Sequence, residues 1–349
     1  MDFTSALYLG LRHPRRELAA WPALTLGKPA ALDTTAPARR LAHQLAVLMG
    51  GEAAILGTST LHLFWDVCSI LAQTENVAFL ADDGLYPIAR WGLERAHAQG
   101  AHTTYFRHYD PSALQKHLPR SRRPIVVTDG YCPACGRPAP LEEYLAIVRR
   151  FGGGLLIDDT QALGLLGPHG GGTGRASGLA GEDIMQISSL SKGFGAPLAV
   201  FTGNSGLVQA VRDTGPTQIH CSPPSEASVA AGLNALTINS THGDRLRATL
   251  AGSVHQFRRL TRRAGVPLAS GDFPVQITAG PHAEAVHREL LKRGIQTVLL
   301  QPRSDSPPSV SFLITAAHEE YEISAAAAEL TEIITHPRNR RTSHVQLAF

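Results

Sequence analysis

Lysine is nearly absent from this 349-residue chain: Lys28, Lys116, Lys192 and Lys292 are its full complement. Cysteine is as scarce, at four, and aromatic residues reach only 6%. No apolar run approaches the ~18 residues a membrane-spanning helix needs. Asp2 stands where a signal peptide would be basic, so the expectation is a cytoplasmic protein with no membrane span. The formal charge is +3 and no long Lys/Arg run interrupts the body, which implies no nucleic-acid partner. Only residues 336–341 (HPRNRR) are locally basic, and they read as a solvated tail. Cys132 and Cys135 have C-x-x-C spacing, but a structural zinc site needs a second pair or matching histidines, and none is near. They read as two ordinary thiols, and no metal is expected.

What the chain does have is alternation. Helical spacing over 37–50 stops at Gly50-Gly51, and a short strand at 53–56 runs into Gly57-Thr58-Ser59-Thr60 before a helix to residue 71. Backbone N–H groups and hydroxyls at a helix start suit a phosphate. Strands are predicted at 76–81, 102–106, 124–128 and 154–157, with helices between them. Asp129, Asp158 and Lys192 fall at carboxyl ends of strands. This predicts an α/β fold, with a mostly parallel central sheet flanked by helices and a ligand beyond the strand ends.

A long helical stretch over 226–264 is expected to break near 240–243, and from about 266 the pattern becomes a smaller α+β unit. The predicted organisation is an N-terminal segment (1–35), a large domain (36–240), a small C-terminal domain (241–335) and a basic tail (336–349). GPHGGGTG at 167–174 lacks the placement of a dinucleotide loop and reads as a turn-rich surface loop.

The chemistry concentrates in 154–197. GLLIDD ends an apolar run in acid, and about thirty residues later SSLSKGFG places Lys192 among small residues. The other three lysines sit in a loop or on helix surfaces. A carboxylate and a desolvated lysine at neighbouring strand ends suit a cofactor with a basic ring nitrogen and an aldehyde, namely pyridoxal 5′-phosphate. Lys192 would hold the aldehyde, and Asp158 would keep the ring nitrogen protonated.

The run from VVTDGYCPACGRPAPL through LLIDDTQALG to SSLSKGFG, with FTSALYLGLRHP at the start and TAAHEE near the end, resembles the α-oxoamine synthases. These are fold-type I pyridoxal-phosphate enzymes. The resemblance implies a large domain plus a smaller C-terminal α+β domain. It implies a homodimer that condenses an amino acid with an acyl-thioester, of coenzyme A or a carrier protein, through a quinonoid intermediate. It makes Lys192 and Asp158 catalytic. Ser189, Ser191, Thr58, Ser59 and Thr60 become phosphate ligands, while Asp129 is a further cofactor-site residue by its strand-end position. Tyr86 stands where a ring-stacking histidine is usual, and the segment around His220 would reach the partner's phosphate.

Departures from the pattern fall on the substrate side. Gln161, a cofactor-binding position, replaces a histidine of D-D/E-A-H that contacts the cofactor's phenolic oxygen as well as the substrate. Ala6 replaces an asparagine, and Gln301 the arginine that grips a substrate carboxylate, with Arg303 two residues on as its substitute. Aminotransfer, or other pyridoxal-phosphate chemistry on an unusual amine, is the alternative reaction. A pyridoxal-phosphate-binding protein without turnover is a third.

Overall fold

Runs such as VAFLAD and GLLID are buried at every position, and such strands need cover on both faces. The computed structural model, which describes residues 1–73, 76–119, 122–301 and 307–335, supplies that cover. It divides into two compact units: one of Leu11–Cys132 and Pro138–Asp244, the other of Met1–Gly10, Pro133–Arg137 and the chain from Arg245 on.

In the larger unit seven strands form one sheet: β1 (Ala53–Gly57), β2 (Val77–Asp82), β3 (His102–Phe106), β4 (Arg123–Asp129), β5 (Gly154–Asp158), β6 (Ile184–Ser189) and β7 (Ala199–Gly203). Their spatial order is β1-β7-β6-β5-β4-β2-β3. The five from β3 to β6 run parallel, while β7 is antiparallel to β6 and to β1.

The pleat sends alternate residues to opposite faces. Phe79, Ile125, Val127 and Leu156 join one core with Phe64, Val67 and Leu93 of α2 (Thr60–Gln73) and α3 (Pro87–Ala98). Leu80, Val126, Leu155 and Ile157 join another with Tyr144, Leu145 and Val148 of a helix spanning Leu141–Arg149. Two further helices, Ala36–Met49 and Ser205–Thr214, each start on a side-chain cap, from Thr35 and Asn204 respectively. The first stops where Gly50 turns left-handed at φ +79°.

The helix of Glu226–Arg263 is continuous over 38 residues. The break expected near 240–243 does not occur. Ser240 and Thr241 return their hydroxyls to the Thr237 carbonyl within the helix, so hydroxyl residues that would favour a turn are absorbed instead.

The smaller unit carries an antiparallel sheet ordered β8-β10-β9, of β8 (Val275–Ala279), β9 (Val298–Leu300) and β10 (Ser309–Leu313). The two end motifs meet here. Phe3 packs edge-on to Phe312 at 5.6 Å and stacks on His318 at 4.3 Å, and His318 Nε2 donates to the Asp2 carbonyl at 2.9 Å. Among the described residues no helix is long and apolar enough to cross a membrane.

Candidate active site

Three adjacent parallel strands end in aspartate: Asp82 on β2, Asp129 on β4 and Asp158 on β5. Asp129 and Asp158 face each other in register. The next strand, β6, leads through Ser189 to Lys192. Asp82 and Asp158 are buried and Asp129 and Lys192 half-buried, and the carboxyls answer differently. Burial, the charge of Asp158 and then that of Asp82 push Asp129 well above the usual carboxylate range, against one hydrogen bond from the Tyr86 N–H at 3.2 Å. Burial also raises Asp158, opposed by hydrogen bonds from Thr160 and by Lys192. Asp82 receives donors from Gly84 N–H at 2.7 Å, Tyr109 N–H at 3.1 Å and His108 Nδ1 at 2.6 Å. The arrangement is therefore a row of three acids, with a lysine beside one end and a histidine bound to the other.

Lys192 lies in the short connection between β6 and β7. Burial lowers its pKa, while Asp158 and then Asp129 pull it back up. An amine so placed loses its proton more easily than a surface lysine, as a nucleophile and base requires. The connection is tightly tied. Leu190 N–H donates to Leu198 O at 2.9 Å, Ala196 N–H to Leu190 O at 3.1 Å, and His13 Nε2 to Phe194 O at 2.7 Å. Next to the lysine, a Cβ on Gly193 would sit 2.3 Å from the Leu163 carbonyl oxygen. Only glycine lets the two backbones close there.

Thr160, which the sequence reading passed over, joins the two ends of this arrangement. Its N–H donates to Asp158 Oδ1 at 3.0 Å and its hydroxyl accepts from Ser189 N–H at 3.1 Å. Ser189 and Ser191 share a hydroxyl hydrogen bond at 2.7 Å. Thr58, Ser59 and Thr60 stand where β1 turns into α2. There Thr58 Oγ1 and Ser59 Oγ lie 2.7 and 3.0 Å from His62 Nδ1. Tyr86 is 56% exposed at the start of α3, so its ring is free to face a ligand. Gln161 lies half-buried in the turn after Asp158. His220 is exposed at the end of a short helix, and its neighbours Cys221 and Ser222 line a small cavity together with Thr58 and His62. Gln301 follows β9 in the other unit and is exposed; Arg303 lies outside the described residues.

The glycine-rich stretch is a surface turn only at Pro168 and His169, which are exposed. Gly170 to Gly174 are buried around Asp159, whose carboxylate accepts Thr173 N–H at 2.9 Å and Thr173 Oγ1 at 2.5 Å. A Cβ on Gly172, which has φ +95°, would land 1.7 Å from Asp159 Oδ2. The glycines make room for a buried acid, a need that local composition does not reveal.

The family of aminotransferase class I and II matches residues 30–330. An 8-amino-7-oxononanoate synthase of Halorhodospira halophila is 31% identical over 293 residues, covering 81% of this chain and 71% of that protein. A serine palmitoyltransferase solved with its pyridoxal-phosphate internal aldimine superposes with TM-score 0.86 at 20% identity, over 96% of this chain and 87% of that one. The 8-amino-7-oxononanoate synthase of Francisella tularensis gives TM-score 0.77 at 18% identity, over 96% and 97%. The residues present fit the cofactor these relatives imply. A buried acid suits a cationic ring N–H, a desolvated lysine an aldehyde, and a hydroxyl-lined helix start a phosphate.

Proposed function

The chain belongs to the aminotransferase class I and II family and is a pyridoxal-phosphate-dependent acyltransferase of the α-oxoamine synthase type; on that premise we propose how its own residues run the reaction. Lys192 holds the aldehyde carbon and moves the proton at the substrate's Cα. Asp158 keeps the ring nitrogen protonated. When bound, the cofactor supplies an electron sink for the charge left at Cα. Thr160 fixes Asp158 and Ser189 relative to one another, which orients ring and phosphate together. Thr58, Ser59, Thr60, Ser189 and Ser191 hold the phosphate, Tyr86 covers the ring, and Gln161 donates to it or to the substrate.

The substrates are an amino acid and an acyl-thioester of coenzyme A or a carrier protein. A proton or CO2 leaves Cα, a Cα–acyl bond forms, the C–S bond breaks, and the thiol departs. Gln161 and Gln301, neutral amides where the resemblance implies histidine and arginine, mark an altered substrate site. A neutral amide grips a carboxylate far less strongly than a bidentate guanidinium does. The protein works as a homodimer in the cytoplasm.

The observation that carries this reading is the placement of Asp158 and Lys192 at adjacent strand ends, each with its pKa moved by burial. The test is a panel of amino acids and acyl-thioesters incubated with the enzyme, assayed for free thiol and aminoketone. Release of both with one pairing is the expected result. Thiol from no pairing, and no aminoketone, would overturn it.

A further inference from the structure

His62 has no role in the reaction just described, yet it sits among the hydroxyls assigned to the phosphate. It lies in the first turn of α2, half-buried, with Nδ1 2.7 Å from Thr58 Oγ1 and 3.0 Å from Ser59 Oγ. A neutral imidazole with an unprotonated Nδ1 can only accept there, so it draws a hydroxyl hydrogen toward itself. A phosphate dianion needs those same hydrogens. If Nδ1 gains a proton, the polarity reverses: the imidazolium donates to the hydroxyl oxygens, and both hydroxyl hydrogens turn outward to the anion.

We propose that His62 is a phosphate-binding residue that takes up one proton from solvent as the cofactor's phosphate binds, so that cofactor retention falls as pH rises. The proposal rests on the placement of the phosphate at Thr58–Thr60.

The groups around His62 leave this role open to it. Asp66, one turn further along α2, accepts the Thr217 N–H at 2.9 Å and its hydroxyl at 2.5 Å, is also bonded by Gln218, and feels the charge of His62. Across the small cavity stand Cys221 and Ser222, after His220 at the end of its short helix. β1 brings Leu56 and Gly57, which carry no charge. Among the described residues no lysine or arginine lines that cavity, so the imidazolium is the cation its described lining can offer the phosphate.

The test compares the parent protein with His62→Gln and His62→Arg across pH 6 to 9. The affinity of each for pyridoxal 5′-phosphate, and for pyridoxal, which lacks the phosphate, is measured by visible absorbance. Near pH 6 the parent should bind pyridoxal 5′-phosphate about tenfold more tightly than His62→Gln, because the protonated ring turns both hydroxyl hydrogens to the dianion and places a positive charge behind them. The gap should close toward pH 9, be absent with pyridoxal, and persist at every pH for His62→Arg relative to His62→Gln. A Gln-to-parent ratio that does not change with pH, or one equally large with pyridoxal, would overturn the proposal. Thermal melts of the variants without cofactor separate a folding defect from lost affinity. Should neither the parent nor the variants develop an absorbance band that Lys192→Ala removes, the cofactor assignment itself fails, an outcome distinct from the loss of pH dependence alone.

Discussion

At the scale of single residues, the row of acids assigns different work to chemically identical side chains. Replacing Asp158 by asparagine removes the charge that would hold a ring proton, and kcat should fall by roughly 10²–10³-fold with weakened cofactor binding. Asp129→Asn should be the milder change, because burial and the charge of Asp158 already push that carboxyl toward its neutral form; a loss below about tenfold is expected in the same thiol-release assay. Lys192→Ala should abolish both the visible absorbance band and turnover.

Asp159 gives a pH signature in stability rather than in rate. Burial raises it from 3.8 to about 7. Between those values the folded state binds the proton more tightly than the unfolded chain does. Its contribution is therefore complete below about pH 4 and is lost as pH climbs toward 7, by on the order of 1 kcal/mol per unit. In denaturant titrations the stability difference between the parent and Asp159→Asn should shrink steadily from pH 4 to pH 7. A difference constant with pH would contradict this.

At the scale of elements, two substitutions test how the sheet and its loops hold the site. Phe64 on α2 is fully buried against the sheet, so Phe64→Ala should cost about 3–5 kcal/mol in unfolding free energy. Gly172→Ala puts a methyl into the Asp159 carboxylate at a positive φ and should cost about 3 kcal/mol, although the residue touches neither lysine nor cofactor. The strands, the first helices and the lysine were legible because period and punctuation are local: VAFLAD and GLLID read as buried strands, and SSLSKGFG placed the lysine at a junction. The long helix and the buried glycine loop were not legible, because each depends on a distant partner. Ser240 and Thr241 spend their hydroxyls on the Thr237 carbonyl inside one continuous helix, and the glycines answer to an acid a dozen residues away. Thr160 and His62 escaped notice for a related reason: each matters through a hydrogen bond to another element or turn, and nothing in a threonine or histidine letter announces that.

At the scale of the whole molecule, the proposed homodimer should sediment at twice the chain mass, and sedimentation at the single-chain mass would contradict it. The fold itself bears on durability. The lysine sits where the chain reverses direction, between a parallel strand and the antiparallel one beside it, and the turn is fastened at both ends by main-chain bonds across Leu190 and Leu198. Opening that turn means parting two central strands rather than lifting a flap. In hydrogen–deuterium exchange the amides of Leu190 and Ala196 should therefore keep pace with the slowest sheet amides, exchanging through global unfolding, so that the reactive amine would rank among the last parts of the protein to come loose.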